Sequence, residues 1–426
     1  MAVAALSTVV EWYDFTLYLY FATVLSRVFF GGGTASLLVT LAGFAISYAM
    51  RPLGAVVFGH VGDRLGRRRT LLLSMMLMTA AMLATALLPD YATIGPASGV
   101  LLLVLRCFMA FSVGGEYTGV VAYLLEGAPP HRRGLLTSLA AAASEVGALL
   151  AVALSALTVS LLDPADLARW GWRMPFLAGA VLAGTVWFAR STMEESPDFT
   201  RQVAECRVPE APLRHTLRHQ RPALWRTFAI SALGSITYYV GITYVPTFLT
   251  TSGALGEGRS LGLSTLAAVA VIVVTPFAGA WSDRVGRRPV LLWLAAGSAV
   301  LPLGLFSLMG RGGDAAIVLG STVLACLAGG ISAVGAPATA EQFPGEGRLS
   351  GLALGVTMAT ALFGGLTPFL AQLLVQLSGW AALPGAMIAL VALAVLPVLA
   401  RMPETRPGGD GRAPAIRPTP GSRPSP

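Results

Sequence analysis

Six ionisable residues stand inside apolar stretches of this chain: Glu11, Asp14, Arg51, Arg106, Glu116 and Glu145. A charged side chain in a hydrocarbon-length segment costs a few kcal/mol, so each needs a partner or a task. Four acids against two arginines leave a net −2 if all ionise. At least one carboxyl group among Glu11, Asp14, Glu116 and Glu145 is therefore expected to hold a proton, which makes it a candidate proton carrier. The four histidines (His60, His131, His215 and His219) fall in loops or at the ends of apolar stretches, so a relay would run on carboxylates. The alternative use of the same charges is a set of structural ion pairs.

Aromatic residues gather near these charges. Glu11 and Asp14 are three apart and share a helix face, flanked by Trp12, Tyr13 and Tyr18. Tyr117 follows Glu116, and Tyr238, Tyr239 and Tyr244 form a second set. Facing a common cavity, they could cradle a quaternary ammonium through cation–π contacts of roughly 0.5–2 kcal/mol each. Packing or interface anchoring is the alternative for each ring. A zwitterion suits this inventory. Its carboxylate would meet Arg106 or Arg51, and its ammonium the aromatic faces and an acid such as Glu116 or Asp14.

The elements that must position these residues are membrane-spanning helices. The chain has 426 residues, 55% hydrophobic and 12% charged, where a soluble domain carries roughly 25% charged residues. Apolar runs of about 20 residues recur, each able to cross a ~30 Å core. A β-barrel would show short alternating segments instead. The pattern predicts twelve spans, near 4–29, 36–60, 70–89, 97–126, 134–162, 171–190, 223–251, 261–282, 289–309, 315–341, 349–377 and 380–400. The intramembrane charges then lie roughly 10–16 Å deep at ~1.5 Å per residue, near the midplane.

All 29 basic residues are arginine. With both termini in the cytoplasm, 22 arginines fall on that side, five on the other, and Arg51 and Arg106 within spans. The positive-inside rule selects that orientation. The net charge of +8 thus reflects topology and predicts no nucleic-acid partner. The arginine- and alanine-rich composition is what a GC-rich bacterial genome tends to encode, so a bacterial plasma (inner) membrane is expected. The first apolar run lacks a basic leader and contains Glu11 and Asp14, so no cleaved signal peptide is expected.

The chain repeats itself. Gly59, Asp63, Arg64, Gly66, Arg67 and Arg68 return 220 residues later as Gly279, Asp283, Arg284, Gly286, Arg287 and Arg288. Glu126, Pro129 and Arg133 recur as Glu341, Pro344 and Arg348, and Met193-Glu194-Glu195-Ser196 resembles Met402-Pro403-Glu404-Thr405. Two similar six-helix bundles follow, residues 1–190 and 223–402, joined by a polar cytoplasmic linker at 191–222. The proline-, glycine- and arginine-rich tail at 403–426 cannot bury a core and should be disordered. Parallel repeats of this kind are a transporter architecture. Cys107, Cys206 and Cys326 form no pair or metal cluster, no phosphate-binding loop occurs, and no nucleophile–base set appears. Neither an enzyme, a metal nor a cofactor is expected.

The repeated Gly-x-x-x-Asp-Arg-x-Gly-Arg-Arg loop resembles the signature of the major facilitator superfamily. Glu11-Trp12-Tyr13-Asp14-Phe15, Arg51-Pro52-Leu53-Gly54, Gly114-Gly115-Glu116-Tyr117-Thr118-Gly119 and Trp172-Arg173-Met174-Pro175-Phe176 resemble its metabolite:proton symporter family. Within it, Glu116 to Gly119 and Ile236-Thr237-Tyr238-Tyr239 through Tyr244-Val245-Pro246 look most like proline/glycine-betaine transporters. The resemblance implies an all-α polytopic fold of twelve transmembrane helices in two pseudo-symmetric bundles, and proton-coupled import of a small molecule by alternating access. It implies that the Asp63 and Asp283 loops are conformational latches, and that Arg106 matches a buried arginine linked to proton coupling. Organic acids such as citrate, α-ketoglutarate and shikimate are the alternative cargo. A non-transporting metabolite sensor is a reading from another class.

Overall fold

The computed structural model describes residues 2–65, 67–114, 116–192, 200, 217–252, 254–343 and 348–406. Among the described residues twelve helical spans run back and forth. They are Ala2–Tyr20 with Ala22–Phe30, Thr34–Tyr48 with Met50–Leu65, Arg67–Ala86, Ala97–Val113 with Glu116–Gly127, Arg133–Leu161, Arg173–Ser191, Arg221–Tyr238 with Val245–Thr251, Glu257–Val285, Arg287–Gly310, Asp314–Ala340, Arg348–Thr360 with Thr367–Ser378, and Leu383–Ala400. Among the described residues nine helices are long and apolar enough to cross a membrane alone, and ten when the bent seventh span counts as one. The first span is broken at Phe21 and carries two acids, and the sixth has an arginine near each end.

Side chains such as Phe277, Trp293 and Val181 are more than two-thirds exposed on the outside of the bundle. Apolar surface of this extent requires a lipid solvent. The protein is a multi-pass membrane protein.

Prolines explain three of the breaks. Pro52 cannot donate to the carbonyl four residues back and frees Tyr48, where the second span is interrupted at Ala49. Pro246 does the same to Ile242, inside a π-helical turn at Tyr239–Thr243 that bends the seventh span by 41°. Pro368 follows a matching turn at Ala361–Gly365 in the eleventh span.

An even number of spans puts the start of the first span and the end of the twelfth on one face, called the terminal face below. The first six spans share an apolar core around Phe21, Phe29, Trp172 and Phe176. The second six pack around Leu233, Leu291 and Leu399 near the terminal face and around Phe248 and Phe306 near the other. The halves meet mainly where the fifth span crosses the eighth and tenth, and the second crosses the eleventh.

Residues 403–406 are ordered, against the expectation for the tail. Glu404 Oε1 and Oε2 accept from the backbone N–H groups of Arg287 and Arg288 at 2.8 and 3.0 Å. These are orphan donors of a helix start, which a carboxylate satisfies. Thr405 Oγ1 donates to Glu341 Oε2 at 2.6 Å. Composition alone missed this because the binding lies in two residues, not in apolar burial. The remainder of the tail, Cys206 and most of the linker lie outside the described residues.

Candidate functional site

Three of the four buried acids have arginine partners. Glu11 Oε1 accepts from Arg51 Nη2 at 3.1 Å, joining the first and second spans. Asp14 takes Arg106 in a fork, Nη1 to Oδ2 at 2.5 Å and Nη2 to Oδ1 at 3.0 Å, joining the first and fourth. Glu116 Oε1 lies 3.0 Å from Arg190 Nη1, and its Oε2 accepts from Ser74 Oγ at 3.0 Å. All six side chains are buried.

Arg190 corrects the charge count. It stands at the last turn of the sixth span, where the positive-inside count includes it among the cytoplasmic arginines. Its side chain turns inward, is 1% exposed, and also bonds Ser7 and the Leu71 carbonyl. Four acids therefore face three arginines. Among the described residues the remaining acid, Glu145, is buried in the fifth span with no cation beside it. The Glu145 Oε2 and the cavity-lining Tyr238 hydroxyl of the other half have no hydrogen-bond partner among the described residues.

Between the halves lies a cavity whose empty space, mouth included, is about 820 Å³. Its wall includes Glu11, Trp12, Arg51, Tyr117, Tyr238 and Tyr239. Trp12 is the hub of the aromatic wall. Its ring centroid is 5.0 Å from Tyr238 and 6.3 Å from both Tyr117 and Tyr239. The Arg51 guanidinium stacks over Phe15 and Tyr48, 3.9 and 4.5 Å from the ring centroids. On the side away from the terminal face, Tyr48 and Tyr239 bond hydroxyl to hydroxyl across the two halves. On the terminal side, Val120, Leu124, Ala336 and Leu352 join both halves in an apolar cluster that touches the cavity at Tyr117 and Val356.

Other expected residues lie elsewhere. Arg106 and Asp14 face each other behind the cavity, beside Tyr18 and Phe176. Tyr13 points into the first half and donates to the Pro175 carbonyl at 2.6 Å. Tyr244 bonds Gln372 at 2.8 Å within the second half. Each ring has an apolar or backbone partner inside its own bundle, and that packing takes it away from the cavity. The hydroxyls of Ser235 and Thr360, 3.2 Å apart, line the cavity and were not expected. Small polar residues beside glycines, Gly234 before Ser235, were the available signal.

The second copy of the repeated loop clamps the halves together at the terminal face. The Asp283 carboxylate accepts from the backbone N–H groups of Gly134 and Leu135, both at 2.8 Å, capping the fifth span. Buried Arg287 holds Asp283 at 2.8 Å and reaches Glu341 at 3.4 Å. Burial raises the Glu341 carboxyl above its usual range, with Arg287 pulling the other way. Gly286 sits at φ +115°, a conformation that glycine adopts without strain, and a Cβ there would meet Glu404 Oε2 at 2.6 Å. A Cβ on Gly279 would lie 2.5 Å from Ser138 Oγ and 2.7 Å from the Gly134 carbonyl, so only glycine lets the fifth and eighth spans approach this closely. Arg284 lends its carbonyl to Arg406, and Arg288 bonds the Ala400 carbonyl. In the first copy, Gly59 faces Ser350 of the eleventh span, and Arg68 donates to the Ser191 carbonyl at 2.6 Å. Gly66 and the side chains of Asp63, Arg64 and Arg67 lie outside the described part.

This arrangement has known counterparts. The family model for "Sugar (and other) transporter" matches residues 1–211, and that for "Major Facilitator Superfamily" matches residues 253–424. The ectoine/proline transporter ProP of Corynebacterium glutamicum is 32% identical over 385 residues, 87% of this chain and 76% of that protein. The chain belongs to the major facilitator superfamily. Among other relatives in this superfamily, the citrate-proton symporter of Klebsiella pneumoniae is 31% identical over 90% of this chain and 86% of its own. The proline/betaine transporter of Escherichia coli is 30% identical over 94% of this chain and 82% of its own. The proton:xylose symporter XylE, bound to 6-bromo-6-deoxy-D-glucose, shares the fold with a TM-score of 0.75 at 18% identity, over 95% of both chains.

Proposed function

We propose that this major facilitator transporter is a proton symporter importing a small zwitterion, of the proline or glycine betaine kind, into a bacterial cell. The observation that carries the reading is the charge on the cavity wall. Glu11 and Arg51 supply one negative and one positive group side by side, next to four aromatic rings. A zwitterion can exchange partners with such a pair, its carboxylate on Arg51 and its ammonium near Glu11 and the faces of Trp12, Tyr117, Tyr238 and Tyr239. A tricarboxylate would need more cations, and among the described wall residues Arg51 is the basic one.

Glu145 carries the proton in this reading. Its three fellow acids are neutralised by arginines, whereas an isolated carboxylate in this setting is expensive and a protonated one is not. The halves 1–190 and 223–402 rock about the cavity, with the Asp283 clamp and its Asp63 counterpart as latches at a cytoplasmic terminal face. Asp14–Arg106 and Glu116–Arg190 hold the first bundle rigid behind it.

Uptake into proteoliposomes, with and without an inward-directed proton gradient, tests this over a panel of proline, glycine betaine, citrate, α-ketoglutarate and shikimate. Gradient-dependent uptake of the zwitterions is expected. Preference for citrate or α-ketoglutarate, which the citrate-proton relative makes the natural rival, would overturn the substrate reading. Binding with neither uptake nor counterflow would point to a sensor.

A further inference from the structure

We infer that Ser235 and Thr360 form a hydrogen-bond-accepting subsite in the cavity that reads the N–H groups of the cargo's ammonium. The transporter then holds zwitterions whose nitrogen carries hydrogens, as in proline, more tightly than fully methylated ones such as glycine betaine. The inference rests on the proposed zwitterion reading and says which zwitterions fit best.

A hydroxyl has one hydrogen to donate, and a backbone carbonyl can only accept. On the wall that the second half gives to the cavity, Thr360 Oγ1 donates to the Val356 carbonyl at 2.9 Å, one turn back in the eleventh span. Its hydrogen is engaged there, so across the 3.2 Å to Ser235 Oγ it is Ser235 that donates. Thr357 and Thr339 likewise give their hydrogens to the carbonyls of Ala353 and Gly335, at 2.7 and 2.8 Å. All four residues are buried and line the cavity. Threonines commonly bond back to their own helix in this way. Ser235 departs from that habit, because it reaches across to the eleventh span, and the chain of donors from Ser235 through Thr360 ends on a carbonyl. What these oxygens have left for a ligand is lone pairs. The hydroxyls of Ser231, Ser332 and Tyr238, on the same wall, can turn to give or accept and do not discriminate. Among the described wall residues the second half contributes no charged side chain.

The first half supplies the complementary wall, with Arg51 and Trp12 as donors. Arg51 Nε and Trp12 Nε1 have no hydrogen-bond partner among the described residues. A carboxylate held by these donors leaves the cargo's nitrogen to the side where the acceptors are. Ser235 lies three residues before Tyr238 on one helix face, so a nitrogen over the Tyr238 ring comes within reach of Ser235. A secondary ammonium donates two N–H bonds, and a hydrogen bond to a charged group discriminates by roughly tenfold or more against an analogue that lacks it. A quaternary ammonium brings methyl groups to the same oxygens and gains only ring and weak C–H contacts. It remains a cargo, held less tightly. A second or third carboxylate would meet lone pairs on this wall, which also counts against a tricarboxylate.

Isothermal titration of the purified full chain in nanodiscs with proline, N-methylproline, N,N-dimethylproline and citrate tests this. The parent should bind proline roughly tenfold or more tighter than N,N-dimethylproline, with N-methylproline between them. Thr360→Val keeps the volume and removes the acceptor, and Ser235→Ala removes its neighbour. Each should bring that ratio down toward one through loss of proline affinity, whereas Thr360→Ser, which keeps the acceptor, should preserve it. Equal affinity across the proline series in the parent overturns the subsite and leaves the zwitterion reading standing. A parental ratio that persists in folded Thr360→Val and Ser235→Ala proteins also overturns it, because the methyl groups are then excluded by size. Binding of citrate and of no member of the series overturns the zwitterion reading and the subsite with it. The expected ratios alongside uptake that ignores a proton gradient overturn symport alone and support the subsite.

Discussion

At the scale of single residues, the buried arginines matter through what their loss leaves behind. Removing one partner of a buried pair strands the other charge, which costs about 3–5 kcal/mol. Arg190→Gln should therefore lower the yield and melting temperature of the detergent-purified protein by abandoning Glu116. The double variant Arg190→Gln/Glu116→Gln should regain much of the loss. A single variant as stable as the parent would show that the pair contributes nothing. Glu145→Gln is predicted to behave in the opposite sense. It strands no cation, so stability should hold or rise, while the pH dependence of glycine betaine uptake disappears. Equal uptake against pH in parent and variant would remove Glu145 from the coupling scheme. The buried acids were legible because a carboxylate inside an apolar run stands out. Arg190 was not. It sits at a helix end, where a charge rule counts it with the loops, and the reach that let it turn inward belongs to its long side chain.

At the scale of helices, the spans were legible to within a few residues because about 20 apolar residues leave the chain no alternative in lipid. Which face each helix presents was not legible. All-round apolar helices show no stripe, so Tyr13 and Tyr244 could not be told from Tyr117 and Tyr238 by spacing. Their partners in the fold, Pro175 and Gln372, are distant in sequence. Crossings that depend on glycine offer a direct test. Gly279→Val places methyl groups where Ser138 and the Gly134 carbonyl now sit. The fifth and eighth spans should be wedged apart at the terminal face. Cysteines introduced at the two helix ends should cross-link at least roughly tenfold more slowly than in the parent, a shift of 1.4 kcal/mol or more in the closed state. Unchanged cross-linking would mean that this crossing tolerates a side chain.

For the whole molecule, the repeat carries different loads in its two copies. The first half holds the arginine–acid pairs around the cavity, and the described contacts put the ordered clamp on the second. Three motifs that recur in the sequence converge there: Asp283 and Arg287 from the loop, Glu341 from the end of the tenth span, and Glu404 and Thr405 after the twelfth. Asp283 is the member that reaches the other half, and it does so by capping a helix whose first N–H groups would otherwise lack acceptors. In the proposed alternating-access cycle those bonds exist only while the terminal face is closed, so their loss should act on the equilibrium between closed and open forms and not on either bundle's fold. Asp283→Asn should forfeit about 1–2 kcal/mol of cap and helix-dipole interaction, which moves the closed-to-open ratio roughly 5–30-fold toward open. Spin labels on the terminal ends of the fifth and eighth spans should report a longer mean distance in the variant, with melting temperature little changed. Glu404→Gln weakens only the support behind Arg287 and should shift the same distribution less. If both variants leave the distances of the parent, the clamp is a fixed joint, and the energy that holds the terminal face closed must come from the apolar cluster at Val120, Leu124, Ala336 and Leu352.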